Sequence, residues 1–178
     1  MEEKAKAPFL KPALIYGAIL GLVTVFLSLV FYFIGMATAN WTSWVSLLVS
    51  IVLLVYLMIQ YRNNYLGGYA TYGQIFLMVL VSAGVISTII GAIYQYLLFT
   101  VIDPGLLDQI RIVAEERIMS NSRIPESMYD DILERMDKRM TVSYMVRMAL
   151  IIGPIVNAFI GLIVAAFIKK EKDVVDPV

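Results

Sequence analysis

Pro12–Tyr61 reads PALIYGAILGLVTVFLSLVFYFIGMATANWTSWVSLLVSIVLLVYLMIQY and holds no formal charge. Widening the window to the whole interval between Lys11 and Asp103 adds one, Arg62. A water-facing surface needs charge, and in ordinary soluble domains about a quarter of residues supply it. This interval is therefore expected to lie in a bilayer. Composition agrees: 60% of the 178 residues are hydrophobic, and mean hydropathy is +0.80.

One span needs about 20 apolar residues, because the hydrocarbon core is about 30 Å thick and each helical residue rises about 1.5 Å. Pro12–Tyr61 is too long for one crossing and must fold back. The break is expected between Gly35 and Trp41, where Gly35, Thr38 and Asn40 weaken a helix and Trp41 and Trp44 suit an interface. That places helix one at about 13–36 and helix two at about 41–61. Arg62–Tyr69, with Gly67-Gly68, reads as a tight turn. Helix three is expected at about 72–102, longer than a bilayer requires, so it should tilt or protrude. Asp103-Pro104-Gly105 stops it. Helix four is expected at about 143–168, followed by Lys169, Lys170 and Lys172.

The fold class is thus all-α, a four-helix transmembrane bundle forming one membrane domain over residues 1–178. Residues 103–142 form a charged insertion between helices three and four. Leu107, Ile110, Ala114 and Ile118 share one helical face there. After Asn121-Ser122-Arg123, a second face gathers Met128, Ile132, Leu133, Met136 and Met140. The pattern predicts a hairpin of two short amphipathic helices outside the membrane, with Pro125 in a first turn and the second helix able to run on into helix four. The insertion holds nine acidic and six basic residues, against attraction to anionic lipid surfaces.

Orientation rests on Lys and Arg. Lys4, Lys6, Lys11, Arg62, Lys169, Lys170 and Lys172 fall on the side of both termini, against six in the insertion. The short segments carry the higher density, so both termini are expected in the cytoplasm and the hairpin outside it. The positive start and Ala37-Thr38-Ala39 mimic a signal peptide, but the apolar run from Ala13 to Met36 exceeds the 7–15 residues typical of one, so a retained first helix is expected.

Each expected span carries a stripe of small or weakly polar residues. Helix one has Gly17, Gly21, Thr24, Ser28 and Gly35; helix two has Ser43, Ser46, Ser50 and Gln60. Helix three has Gly84, Thr88, Gly91 and Gln95; helix four has Ala149, Gly153, Asn157, Gly161 and Ala165. Small side chains let backbones approach, and hydroxyls and amides bond across helices. Close packing is the first expectation. A polar path lined by Gln60, Gln74, Gln95 and Asn157 is the second. Gly153-Pro154 should kink helix four. Arg147 should snorkel to the interface or meet Asp103. A faint repeat pairs Tyr16-Gly17 with Tyr72-Gly73, and Gly35 with Gly91.

Several chemistries are excluded. There is no Cys and no His, so thiolate sites, HExxH metalloproteases and Ser-His-Asp hydrolases are impossible. No carboxylate lies inside an expected span, against proton-coupled pumping. Net charge is zero, so no nucleic-acid partner is expected. No catalytic residue, cofactor or metal is expected. The expected partners are the lipid bilayer and, through 106–140, another copy or a membrane-protein partner. The leading expectation is a non-catalytic structural or interaction subunit; the alternative is an oligomeric small transporter or channel.

YGAILGLVTVFLSLVFYFIG (16–35), YRNNYLGGYATYGQIF (61–76) and IYQYLLFTVIDP (93–104) resemble a family of bacterial four-helix membrane proteins classed as a domain of unknown function (number four-one-nine-nine). The strongest points are Gly67-Gly68-Tyr69, Tyr72-Gly73-Gln74 and Ile102-Asp103-Pro104, and the resemblance covers nearly the whole chain. It implies four spans and a bacterial inner-membrane location. It implies no activity and no catalytic residue.

Overall fold

The computed structural model describes residues 9–121 and 124–171. Lys4, Lys6, Ser122, Arg123 and Lys172, used in the charge and turn readings above, lie outside the described residues. Four helices are long and apolar enough to cross a membrane: Leu10–Phe33, Trp41–Tyr65, Tyr72–Ile102 and Val142–Ile168. Helix α1 (Leu10–Phe33) has 24 residues, about 36 Å at about 1.5 Å per residue, enough for the hydrocarbon core.

The boundaries follow backbone conformation more than polarity. Helix α1 starts a turn earlier than expected and ends at Phe33, because Gly35 takes a positive φ of 74°. Helix α2 (Asn40–Tyr65) runs one turn past the expected end at Tyr61. Arg62, Asn63 and Asn64 are polar but helix-compatible; the left-handed pair Gly67 and Gly68 reverses the chain.

The third span matches its expected bounds but not a uniform helix. It joins α3 (Tyr72–Val79), a π-helical stretch at Leu80–Ser87, α4 (Thr88–Leu97) and a second π-helical stretch at Leu98–Ile102. Ser82, Ala83 and Gly84 supply small side chains in the wider turns, and Thr88 Oγ1 donates to the Ala83 carbonyl, five residues back, at 3.3 Å. Helix α7 (Val142–Ile168) continues through Pro154.

The hairpin helices are α5 (Leu106–Met119) and α6 (Tyr129–Arg139). Pro125 precedes a short 3-10 turn, Glu126–Met128, rather than entering the α-helix. Helix α6 does not run into α7. Met140 leaves helical geometry, and the Thr141 hydroxyl caps α7 by accepting from Tyr144 N–H. Leu107, Ile110, Ala114 and Ile118 are half-buried as one face, as are Ile132, Leu133, Met136 and Met140; Met128 is exposed. Leu106, absent from the expected face, is the residue of α5 that buries deepest, against Leu98 and Phe99. Arg111 Nε lies 3.3 Å from Asp137 Oδ1, and Tyr129 Oη donates to the Met119 carbonyl.

The two ends of the bundle differ. One end gathers the start of α1, the α2–α3 turn and the end of α7. There Tyr16, Leu57, Met58, Ile75, Val79 and Ala165 form the densest part of the core. Ala70 and Lys170 exchange both main-chain hydrogen bonds (2.8 and 2.9 Å), and Tyr72 Oη donates to the Leu162 carbonyl. At the other end lie the α1–α2 turn and the hairpin, over a looser interior.

Candidate functional site

The third span is the hub of the packing. At Gly17, an added Cβ would sit 2.6 Å from Ile86 Cβ and 2.7 Å from the Ser82 carbonyl. At Gly21 it would sit 2.9 Å from Ile90 Cβ, and at Gly153 2.6 Å from Thr88 Cγ2. Gly161 faces Val79 at 3.1 Å. These four glycines let α1 and α7 approach the third span on either side. Gly35 takes no part in helix packing; it ends α1. Gly91 has nothing within 4 Å. The Gly35/Gly91 repeat therefore has no structural counterpart, since one glycine makes a turn and the other sits inside a helix. Likewise Gly17 is tightly packed while Gly73 has no neighbour within 4 Å.

Toward the hairpin the stripes change role. Thr24 and Ser28 of α1, Ser43, Ser46 and Ser50 of α2, Thr88, Gly91 and Gln95 of α4, and Ala149 and Gly153 of α7 line a chamber of about 900 Å³. Leu106 and Ile110 of α5 contribute to its wall, and so does Arg139 at the end of α6. A smaller cavity of about 190 Å³ shares Thr24, Leu47 and Ser50 with it and reaches Asn157. From Tyr144 to Asn157 this hollow follows α7 for about 20 Å at about 1.5 Å per residue. It does not run through. Leu20, Leu54 and Ala83 line its inner end and belong to the closed core beyond. The hairpin residues Leu106, Ile110 and Arg139 form part of the wall at the other end.

Some polar groups on the wall are satisfied by their own helix. Thr24 Oγ1 donates to Gly21 and Leu20 carbonyls, Ser50 Oγ to Ser46, and Asn157 Nδ2 to Gly153. Two groups differ. The Gln95 amide makes no hydrogen bond among the described residues. The Tyr94 hydroxyl oxygen is buried and also lacks a partner. At membrane depth the Gln95 amide requires a partner from water or a guest.

The four amides expected to line one path are split up. Gln95 faces the chamber and Asn157 the smaller cavity. Gln60 accepts from Asn64 at 3.1 Å. Gln74 closes a capping box at the start of α3: its Oε1 accepts from Thr71 N–H at 2.9 Å, and its own N–H donates to Thr71 Oγ1. Arg147 is exposed and does not meet Asp103. The Asp103 carboxylate accepts instead from Tyr32 Oη at 3.1 Å. The sequence reading missed this contact, the Tyr94 hydroxyl and the seat of α5 on the bundle. The signal it had was the placement of tyrosines at the ends of spans.

Four helices long and apolar enough to cross a membrane, packed as one bundle, define a polytopic α-helical membrane protein. The chain belongs to the family described as protein of unknown function (DUF4199), which matches residues 15–170. No curated protein and no solved structure matches it.

Proposed function

We propose that this protein is a non-catalytic interaction subunit of the bacterial inner membrane, with both termini cytoplasmic and the hairpin outside. The single observation behind this reading is a hairpin held in one pose while part of its apolar surface stays uncovered. Leu106 is buried on Leu98 and Phe99, and Arg117 Nη2 donates to the Thr38 carbonyl in the α1–α2 turn. Ile112, Met119 and Met128 nevertheless remain 54, 53 and 50% exposed. A fixed platform with exposed apolar side chains suits docking by another copy or another membrane protein. The absence of His and Cys from the chain supports a non-catalytic role.

Deletion of 106–140 should leave an inserted protein that loses the partners captured by cross-linking in native membranes. Capture of the same partners after the deletion rejects the reading. Reporter fusions at the C-terminus and within the hairpin test the orientation; activity of a periplasmic reporter at the C-terminus reverses it.

The chamber favours a second reading, an oligomeric small transporter or channel. The closed core blocks passage through one protomer, so several copies would have to surround the path. Solute or ion flux in liposomes that falls with Gln95→Leu or Asn157→Leu supports this reading, and flux at background levels rejects it.

A further inference from the structure

We propose that the chamber is a binding site for one anionic glycerophospholipid. Four observations carry this, independently of any role for the hairpin. The volume, about 900 Å³, lies within the roughly 300–1,000 Å³ range of ligand cavities. The wall is mostly apolar, which suits an acyl chain. Its only formally charged residue is Arg139, at the hairpin end, and Arg139 has no acidic partner among the described residues. Deeper in, the Gln95 amide lacks a partner among the described residues.

Gln95 lies deeper in the bundle than the span end that Arg139 lies near. Gln95 precedes the end of the third span at Ile102 by seven residues, roughly 10 Å at about 1.5 Å per residue. A phosphate at Arg139 would place an ester carbonyl deeper in the chamber, where it accepts from Gln95 Nε2. One of the two acyl chains then lies along the apolar wall, and the other stays in the bilayer. A fatty acid has only the charged end and leaves the deeper donors unmet. A zwitterionic lipid brings an ammonium that gains nothing from Arg139. The Asp103 carboxylate is not part of the chamber wall.

The absence of cysteine makes the test direct. Ser46→Cys places a thiol on the chamber wall, and Ser127→Cys places one on the exposed hairpin as a control. The full chain, delipidated in detergent, is labelled with a maleimide in the presence of phosphatidylglycerol, phosphatidylcholine or oleate. Phosphatidylglycerol should slow labelling at position 46 and leave position 127 unchanged, and the other two should have little effect. R139Q should weaken this protection about tenfold, the loss expected for one charge-assisted hydrogen bond. Q95L should weaken it with the fold intact by circular dichroism. Equal protection by phosphatidylcholine overturns the role of the charge. Equal protection by oleate overturns the role of the esters. No protection by any of the three overturns the site itself.

Discussion

Arg62 Nη1 donates a 3.0 Å hydrogen bond to the main-chain carbonyl of Ile168. The only charge between Lys11 and Asp103 thus caps the last turn of the fourth span. Carbonyls at a helix end have no partner within the helix, and a cation there also meets the negative end of the helix dipole. Together with the Ala70–Lys170 main-chain pair, this contact fastens the α2–α3 turn to the end of α7. Arg62→Gln should lower stability by about 1–2 kcal/mol, the range for a charge-assisted hydrogen bond that is half-buried. Thermal unfolding in detergent measures it. A midpoint equal to that of the unmodified chain would show that the contact contributes nothing.

Gly17 and Gly91 separate packing from lining. Both belong to stripes of small residues, yet a Cβ at Gly17 meets Ile86 and the Ser82 backbone below 3 Å, while one at Gly91 meets nothing within 4 Å. Gly17→Ala should therefore destabilise by about 1–3 kcal/mol, as overpacked cores do. Gly91→Ala should be neutral or stabilise by up to about 1 kcal/mol through helix propensity. The pair is read in one thermal series. Equal midpoints for the two variants contradict the close approach of α1 to the π-helical stretch.

The contrast between these glycines shows what the sequence carried. Charge depletion and length were enough for four spans, because the bilayer fixes how many apolar residues a crossing needs. The hairpin's two half-buried faces followed from a 3.6-residue period. The stripes were legible as stripes, but whether a given member packs or lines a hollow depends on how far neighbouring helices diverge. No local pattern encodes that, so Thr24 and Gly21 looked alike. The π-helical turns were equally hidden, since Leu80–Ser87 has an ordinary span composition. Gln74 was misplaced for a simpler reason. Thr71 three residues before it marks a capping box, and that signal was present but unread.

Gln74 provides a test that separates a cap from a transport path. Thr71 and Gln74 satisfy donors at the start of α3 reciprocally. Thr71→Val and Gln74→Leu should each cost about 1 kcal/mol, typical for a lost N-cap. Their effects should not add, since either change breaks the same box. Neither should alter any flux measured in liposomes. A loss of flux in Gln74→Leu without a loss of stability would return this residue to a polar path.

Tyr32 links the chamber to the hairpin. Its ring packs with Leu98, Phe99 and Leu106, and its hydroxyl holds Asp103 at the point where the third span gives way to α5. Leu106 N–H in turn donates to the Asp103 carbonyl at 3.2 Å, so the residue that orients the start of α5 is itself held by α1. Tyr32→Phe keeps the ring and removes only the hydroxyl. It should weaken the seat of α5, because the lost bond is to a charged acceptor. The spans should stay folded, since the closed core lies at the other end. Hydrogen exchange distinguishes these regions: amides of Leu106–Met119 should exchange faster in the variant, while those of α3 stay unchanged. Unchanged exchange in α5 would mean that Leu106 alone holds the hairpin down, and that the carboxylate of Asp103 has no part in its pose.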